Sequence, residues 1–349
     1  MPGTGADLPY GMLNSNKRRV TLNLKDPRGR ELLIEMVDRA QVLVENFRPG
    51  VMDKLGLGAD MFLARDPSLV YASGSGYGQE GAYRDLPAMD LTIQAMSGVM
   101  TSNGFTENPP VEAGPALADF FGGIHLYGAI VTALYRRAAT GKGARLDVAM
   151  LDSVYPSLLS NLGLLLGADS PPPPRAGNRH GGLAVSPYNV YPTMDGYLAV
   201  ITVTDGHWDA ILATIGRADL IGDPKYAAKS ARVAAMQEVD DLLEDWTGSL
   251  PTAKVFELFR AAGVPCAPVR DLRAVVDDPH LRERGMIEDR DIPGVGVLPL
   301  MNTPLRFAGE GRVPLEIAPL LGEHNDEIFG TWLGRSEEEL AALRADGVI

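Results

Sequence analysis

The chain has 349 residues, 45% of them hydrophobic and 22% charged, a composition that fits a soluble globular protein with one large α/β unit or two domains. Its net charge of −13 argues against nucleic acid or an anionic membrane as the main partner, although a local basic pocket remains compatible with an anionic ligand. A single cysteine, Cys266, excludes an intramolecular disulfide and a cysteine metal cluster, and fits a reducing cytoplasm. The five histidines (125, 180, 207, 280 and 324) show no zinc spacing, so no metal is expected. No uninterrupted apolar run reaches about 18 residues, and the start MPGTGADLPYGML has no basic stretch ahead of an apolar one. A cytoplasmic protein without a membrane role is the expectation.

In chain order, RRVTLNL (18–24) reads as a strand, Pro27 to Ala40 has helical spacing, QVLVEN is a strand, and SLVYASGSGYG is a strand running into glycines. This βα repetition predicts a largely parallel sheet. Leu91 to Val99 and Phe120 to Arg137 read as helices, after which GKG turns the chain into a strand at Arg145. A leucine-rich run after Asp152 reads as a buried helix. Four prolines and several glycines in SPPPPRAGNRHGG (170–182) mark the best domain boundary. Beyond it, VYPTMDGYLAV is a hairpin turning at Met194 to Gly196, and helices follow to about Ala262. The tail from Pro299 reads as irregular until a helix at Ser336 to Arg344.

Three stretches carry candidate chemistry. In RLDVAMLDSVY (145–155), Asp147 lies within the strand and Asp152 at the N-cap or first turn of the following helix. On local pattern alone, a plain capping role for Asp152 is the better reading. GYGQEG (76–81) matches GxGxxG after a strand, but Pro87 breaks any helix that the third glycine would have to join, so a dinucleotide fingerprint is rejected. VENFRPG (44–50) ends a strand with Asn46, Phe47 and Arg48, placed to meet a ligand beyond a strand's carboxyl end; an ordinary turn is the local favourite.

Seven blocks in order, NSNKRRVTLNLKDPRGRELL, VENFRPGVMDKLGL, SGYGQEGAYRDLPAMDLTIQAMSG, GKGARLDVAMLDSVY, GNRHGGLAVSPYNVYP, GVPCAPVRDL with DPHLRERGM, and PLLGEHNDEIF, resemble the class III coenzyme A transferases, the formyl-CoA transferase and carnitine CoA-transferase group. The resemblance covers the chain from about Asn14. It implies a Rossmann-like large α/β domain (1–182), a smaller α+β domain (183–290), a C-terminal segment (291–349) returning to the large domain, and an interlocked homodimer. It also implies that Asp152, not Asp147, is the nucleophile.

Coenzyme A contacts in the family match Leu22, Asn23, Leu24 and Lys25, then Asn46, Phe47 and Arg48, then Lys54, and then Pro87, Ala88, Met89 and Asp90. The loop that closes over the site matches Arg179, His180, Gly181 and Gly182. Acyl-CoA and a carboxylic acid acceptor are the implied substrates, with no permanently bound cofactor. A 2-methylacyl-CoA racemase is the main alternative, but its histidine base resembles a position held here by Met89, which accepts no proton at neutral pH. His125 then reads as a core or interface histidine. A third reading is a coenzyme A binding protein with impaired catalysis. Full-length relatives begin with a strand, loop and helix ahead of NSNKRR, so the expectation is that this unit is missing here and that stability suffers.

Overall fold

The structure, a computed structural model, describes residues 7–292 and 295–349. The chain gathers into two compact units, one holding Met1–Leu43, Val51–Leu69 and Arg270–Ile349, the other Val44–Gly50 and Val70–Val269. The Pro/Gly-rich stretch at 170–182 therefore lies inside the second unit.

The first residues carry helices α1 (Asp7–Leu13) and α2 (Pro27–Val37), strand β1 (Val42–Glu45), then α3 (Val51–Lys54) and α4 (Ala59–Arg65). Strand β2 (Val70–Ser75) leads through the glycine loop to α5 (Asp90–Ser97), α6 (Val99–Ser102) and the long α7 (Leu117–Thr140). Strand β3 (Ala144–Ala149) runs straight into α8 (Met150–Val154), a 3-10 turn (Tyr155–Leu158) and α9 (Leu159–Gly167). Next come β4 (Tyr188–Pro192), β5 (Tyr197–Ile201), α10 (Asp205–Thr214), α11 (Lys229–Ala234), α12 (Met236–Thr247) and α13 (Thr252–Ala261). The chain ends with β6 (Cys266–Pro268), α14 (Leu272–Val276), α15 (Pro279–Glu283), the hairpin β7 (Ile287–Ile292) and β8 (Gly296–Met301), a π-helix (Asp326–Trp332) and α16 (Glu337–Ala345).

In the second unit, β2 and β3 pair in parallel from Val70 opposite Ala144 to Ser75 opposite Ala149, within a sheet ordered β1-β2-β3. Their carboxyl ends thus share one edge, where β2 becomes the glycine loop and β3 becomes α8. Beneath that edge Ile93, Val99, Ala118, Val154 and Leu158 form a small buried cluster, flanked by Phe121 and Met150. A separate antiparallel sheet, β4-β5-β6, closes over a larger core of Tyr191, Leu198, Trp208, Ile211, Leu243, Val255 and Phe259. Arg232, fully buried beside it, is satisfied by the carbonyls of Ser186, Tyr226 and Ala227 and by Asp205.

In the first unit, Asp26 caps α2 by accepting the Arg28 N–H, with Pro27 in the first helical turn, where a missing N–H costs nothing. Leu32 of α2 packs with Phe329, Leu333, Leu340, Leu343 and Val348, so the tail and the N-terminal segment share one core.

Three local expectations fail. Residues 18–23 form no strand and Leu24 lies in a turn, because no ladder is on offer: Arg19 N–H meets His324 Nδ1, Thr21 N–H meets Asn325 Oδ1, and Asn23 N–H meets the Val348 carbonyl. The leucine-rich run after Asp152 is helical but broken by the 3-10 turn holding Pro156, and α9 buries no residue; Leu159, Leu165 and Leu166 are exposed. The β7–β8 hairpin, with Asp289 opposite Pro299, falls partly in a tail read as irregular.

Candidate active site

Asp152 is the third residue of α8, directly beyond β3, and it is not the cap: Ala149 occupies that position and offers no side-chain bond. The carboxylate is exposed and accepts no hydrogen bond among the described residues. Asp147, five residues earlier, is engaged. Its Oδ2 accepts the Gln79 N–H at 2.9 Å.

The glycine loop reaches the same turn from the other side, since the Leu151 N–H donates to the Gly76 carbonyl at 3.0 Å. Gly81 has φ +86° and lies in no helix, in keeping with the rejection of a dinucleotide fingerprint. A Cβ on Gly76 would stand 2.0 Å from the Ala88 Cβ, so only glycine lets the segment Pro87–Asp90 pack against the loop. Within that segment Met89 is 74% exposed, and its N–H donates to Thr92 Oγ1 at the start of α5. Asp90 points elsewhere. Its Oδ1 accepts the N–H groups of Ala118 (2.7 Å) and Asp119 (3.2 Å), capping α7, while Oδ2 accepts from Gln94 at 2.6 Å. Burial, and then the Asp90 charge, push the Asp119 carboxyl above its ordinary pKa.

Among the loop residues, Gly181 and Gly182 lie against the start of α9: a Cβ on Gly181 would meet Asn161 Oδ1 at 2.8 Å, and one on Gly182 the Ser160 carbonyl at 3.0 Å. His180 accepts the Gly182 N–H on Nδ1 at 3.1 Å, and its Nε2 lies 3.5 Å from Ser160 Oγ. Arg179 is tied down by the buried Asp240 (2.7 Å) and by Gln237. Asp240 in turn accepts from the Tyr191 hydroxyl at 2.6 Å and from Asn189 at 3.1 Å. Burial and the Asp240 carboxylate hold Tyr191 neutral, its pKa well above the usual phenol value.

Asn46, Phe47 and Arg48 are exposed just past β1, where the largely buried Glu45 accepts the Phe47 N–H and fixes the turn. Leu22, Asn23, Leu24, Lys25 and Lys54 belong to the first unit. There the Arg30 guanidinium donates to the carbonyls of Leu24 and Lys25, and a Cβ on Gly29 would fall 2.1 Å from the Asn23 carbonyl, so the turn sits tightly on α2. Lys25, Arg48 and Lys54 are exposed and form no ion pair among the described residues, whereas Arg18, Arg28, Arg65 and Arg344 each hold a carboxylate. His125 is exposed on α7, its Nδ1 against the Phe121 carbonyl at 2.8 Å. No cluster of three or more His, Cys, Asp or Glu arranged for a metal occurs among the described residues.

Sequence reasoning missed Asp147 as a loop anchor, Asp90 as the cap of α7, and the Asp240 set behind Arg179. Their partners lie 28 to 68 residues away in the chain, beyond any local pattern.

The family model for CoA-transferase family III matches residues 2–325. The formyl-CoA:oxalate CoA-transferase of Streptomyces avermitilis is 36% identical over 358 residues, covering 98% of this chain and 86% of the relative. The succinyl-CoA:mesaconate CoA-transferase of Haloarcula hispanica is 32% identical, covering 95% and 84%. Among solved structures, a CAIB/BAIF family protein from Brucella suis superposes with a TM-score of 0.77 at 33% identity, covering 92% of this chain and 83% of that one. The chain belongs to CoA-transferase family III and is an enzyme that transfers coenzyme A.

Proposed function

We propose that the enzyme moves coenzyme A from an acyl-CoA to a carboxylic acid through a thioester on Asp152. The carrying observation is the state of that side chain: an exposed carboxylate at the junction of β3 and α8, free of hydrogen-bond partners among the described residues, while the neighbouring Asp147 is occupied. An Asp152 oxygen attacks the acyl carbonyl and the C–S bond breaks, giving a mixed anhydride and the coenzyme A thiolate. The thiolate attacks the Asp152 acyl carbon, releasing the donor acid and leaving aspartyl-CoA. The acceptor carboxylate attacks that thioester to form a second anhydride, and the thiolate takes the acceptor acyl group and regenerates Asp152. No net proton is consumed.

The cations without carboxylate partners support coenzyme binding. In a chain of net charge −13, Lys25, Arg48 and Lys54 are available for phosphates, as the family contacts imply. Oxalate and mesaconate, named in the two relatives, are both small dicarboxylates, so a small dicarboxylic acid is the proposed acceptor. A homodimer belongs to the same proposal, with a Rossmann-like large domain. Its support is the stripe of Phe120, Ile124, Tyr127, Val131 and Tyr135 along α7, all exposed at the spacing of one helix face. Met89 offers no base for racemization.

The test is Asp152→Asn, assayed with formyl-, acetyl- and succinyl-CoA against oxalate and mesaconate. Transfer should fall by about 10³-fold or more with the fold retained, and hydroxylamine should modify the peptide holding Asp152 in the wild type. An active asparagine variant, or exchange of the donor's α-hydrogen in deuterated water without an acceptor, would overturn the reading.

A further inference from the structure

The glycine loop closes a hydrogen-bonded ring around the turn that carries Asp152. Starting at Asp147, β3 runs through Ala149 into α8, where the Leu151 N–H meets the Gly76 carbonyl at 3.0 Å. The loop then returns through Gly78, with φ +91° and its N–H on Ser75 Oγ at 3.0 Å, to Gln79, whose N–H ends on Asp147 Oδ2 at 2.9 Å. Gly78 is favoured here by its left-handed φ and not by lack of space, since a Cβ would meet that Oδ2 at 3.7 Å and the Ala149 Cβ at 3.8 Å, ordinary contacts.

Both closures are made by groups that regular structure leaves over. The Leu151 N–H is among the first of α8, which no intrahelical carbonyl accepts, and the Asp147 carboxylate projects from a strand whose backbone ladder to β2 is complete without it. The same loop also receives Ala88 against Gly76. One loop thereby sets the pitch of the Asp152 turn and the seat of Pro87–Asp90.

We propose that Asp147 is a positioning residue for Asp152, acting through the loop Gly76–Gln79 and the Leu151 N–H. This rests on the reading of Asp152 as the nucleophile. A bond from a backbone N–H to a carboxylate is roughly twice as strong as a neutral one, so Asp147 is the firm end of the ring and the amide-to-carbonyl contact at Gly76 the softer end. Releasing the firm end leaves α8 attached to β3 but free to reorient its first turn. A misplacement on the order of 1 Å at a reacting group costs about 10² in rate.

The experiment compares Asp147→Ala, Asp147→Asn and Asp152→Asn in the full chain, using the donor and acceptor pair that wild type turns over fastest among those named above. Asp147→Ala should lose about 10²-fold in kcat with KM for the acyl-CoA within about threefold and an almost unchanged melting temperature. Asp147→Asn, whose amide oxygen still accepts the Gln79 N–H, should recover most of the rate. In the protein without substrate, amide hydrogen exchange in Asp147→Ala should quicken at both 76–81 and 150–154 while the β2–β3 ladder stays protected. Asp147→Val, suited to a strand, carries the same test if the alanine variant does not fold. Wild-type kcat in Asp147→Ala alongside an inactive Asp152→Asn would overturn the positioning role alone, as would faster exchange limited to the loop. An active Asp152→Asn would overturn the nucleophile assignment instead.

Discussion

The two halves of the second unit solve the burial problem differently. Around β4-β5-β6 the large side chains are spent inside the chain itself: Trp208, Tyr191 and Phe259 are fully buried, and Trp246 stacks on Phe259 with ring centroids 5.3 Å apart. Around β3, α7 and α9 the buried cluster is small, while Tyr135 is 81% and Leu166 83% exposed. The first region is complete as a single chain. The second leaves apolar side chains exposed at the spacing of one helix face, the surface on which the proposed homodimer rests, and it is the region that carries Asp152.

That contrast can be broken at several points. Phe259→Ala should cost about 3–5 kcal/mol, because it empties a core that nothing else fills, and calorimetry should show a lower melting temperature with association unchanged. Ile124→Asp should act the other way round. On the proposed homodimer, charge in the middle of the α7 stripe should weaken self-association by about 2 kcal/mol, or roughly 30-fold, in sedimentation equilibrium, with the fold intact. A variant that melts early but associates normally would erase the distinction between the regions.

Finer probes sharpen it. Tyr191→Phe removes the hydroxyl that donates to the buried Asp240, so chemical denaturation should register a loss of about 1.5 kcal/mol, and the anchor of Arg179 should loosen with it. The smallest effect is set by acid. Asp195 accepts from the Thr252 backbone and hydroxyl, bonds that hold its pKa below the usual aspartate value. A depressed carboxylate contributes stability that is present above the unfolded pKa of about 4 and lost as pH falls through the lower folded value. Melting temperature followed below about pH 4 should therefore decline less in Asp195→Asn than in wild type.

What was legible in the sequence follows the range of the forces involved. The hairpin around Met194 to Gly196, the α2 start at Pro27 and the strand-to-helix passage at Asp152 are set by neighbours within a few positions, and each appears where the local pattern placed it. Residues 18–24 alternate like a strand, but strand status needs a partner's ladder, and the partner here supplies His324, Asn325 and one terminal carbonyl some 300 residues on. The leucines after Asp152 read as a buried helix, yet α9 buries no residue, because leucine content reports hydrophobicity and not the neighbours that would cover it. Of the site, the position of Asp152 was readable from pattern, while the role proposed for it rests on resemblance. The ring through Asp147 was not, because Gln79 contributes only a backbone N–H, which every residue but proline has.

On the coenzyme A contacts proposed above, Lys25 and Lys54 of the first unit, without carboxylate partners among the described residues of so acidic a chain, give salt two opposing effects on one encounter. During approach, within about a Debye length of the surface, a polyanionic nucleotide is repelled by the net charge of −13, while at contact the proposed cations hold it. Added electrolyte screens both. Capture should therefore quicken and release should quicken too, so that ionic strength shortens the residence of coenzyme A on the enzyme while leaving its arrival unhindered. An enzyme poised this way would exchange its coenzyme most freely at high ionic strength.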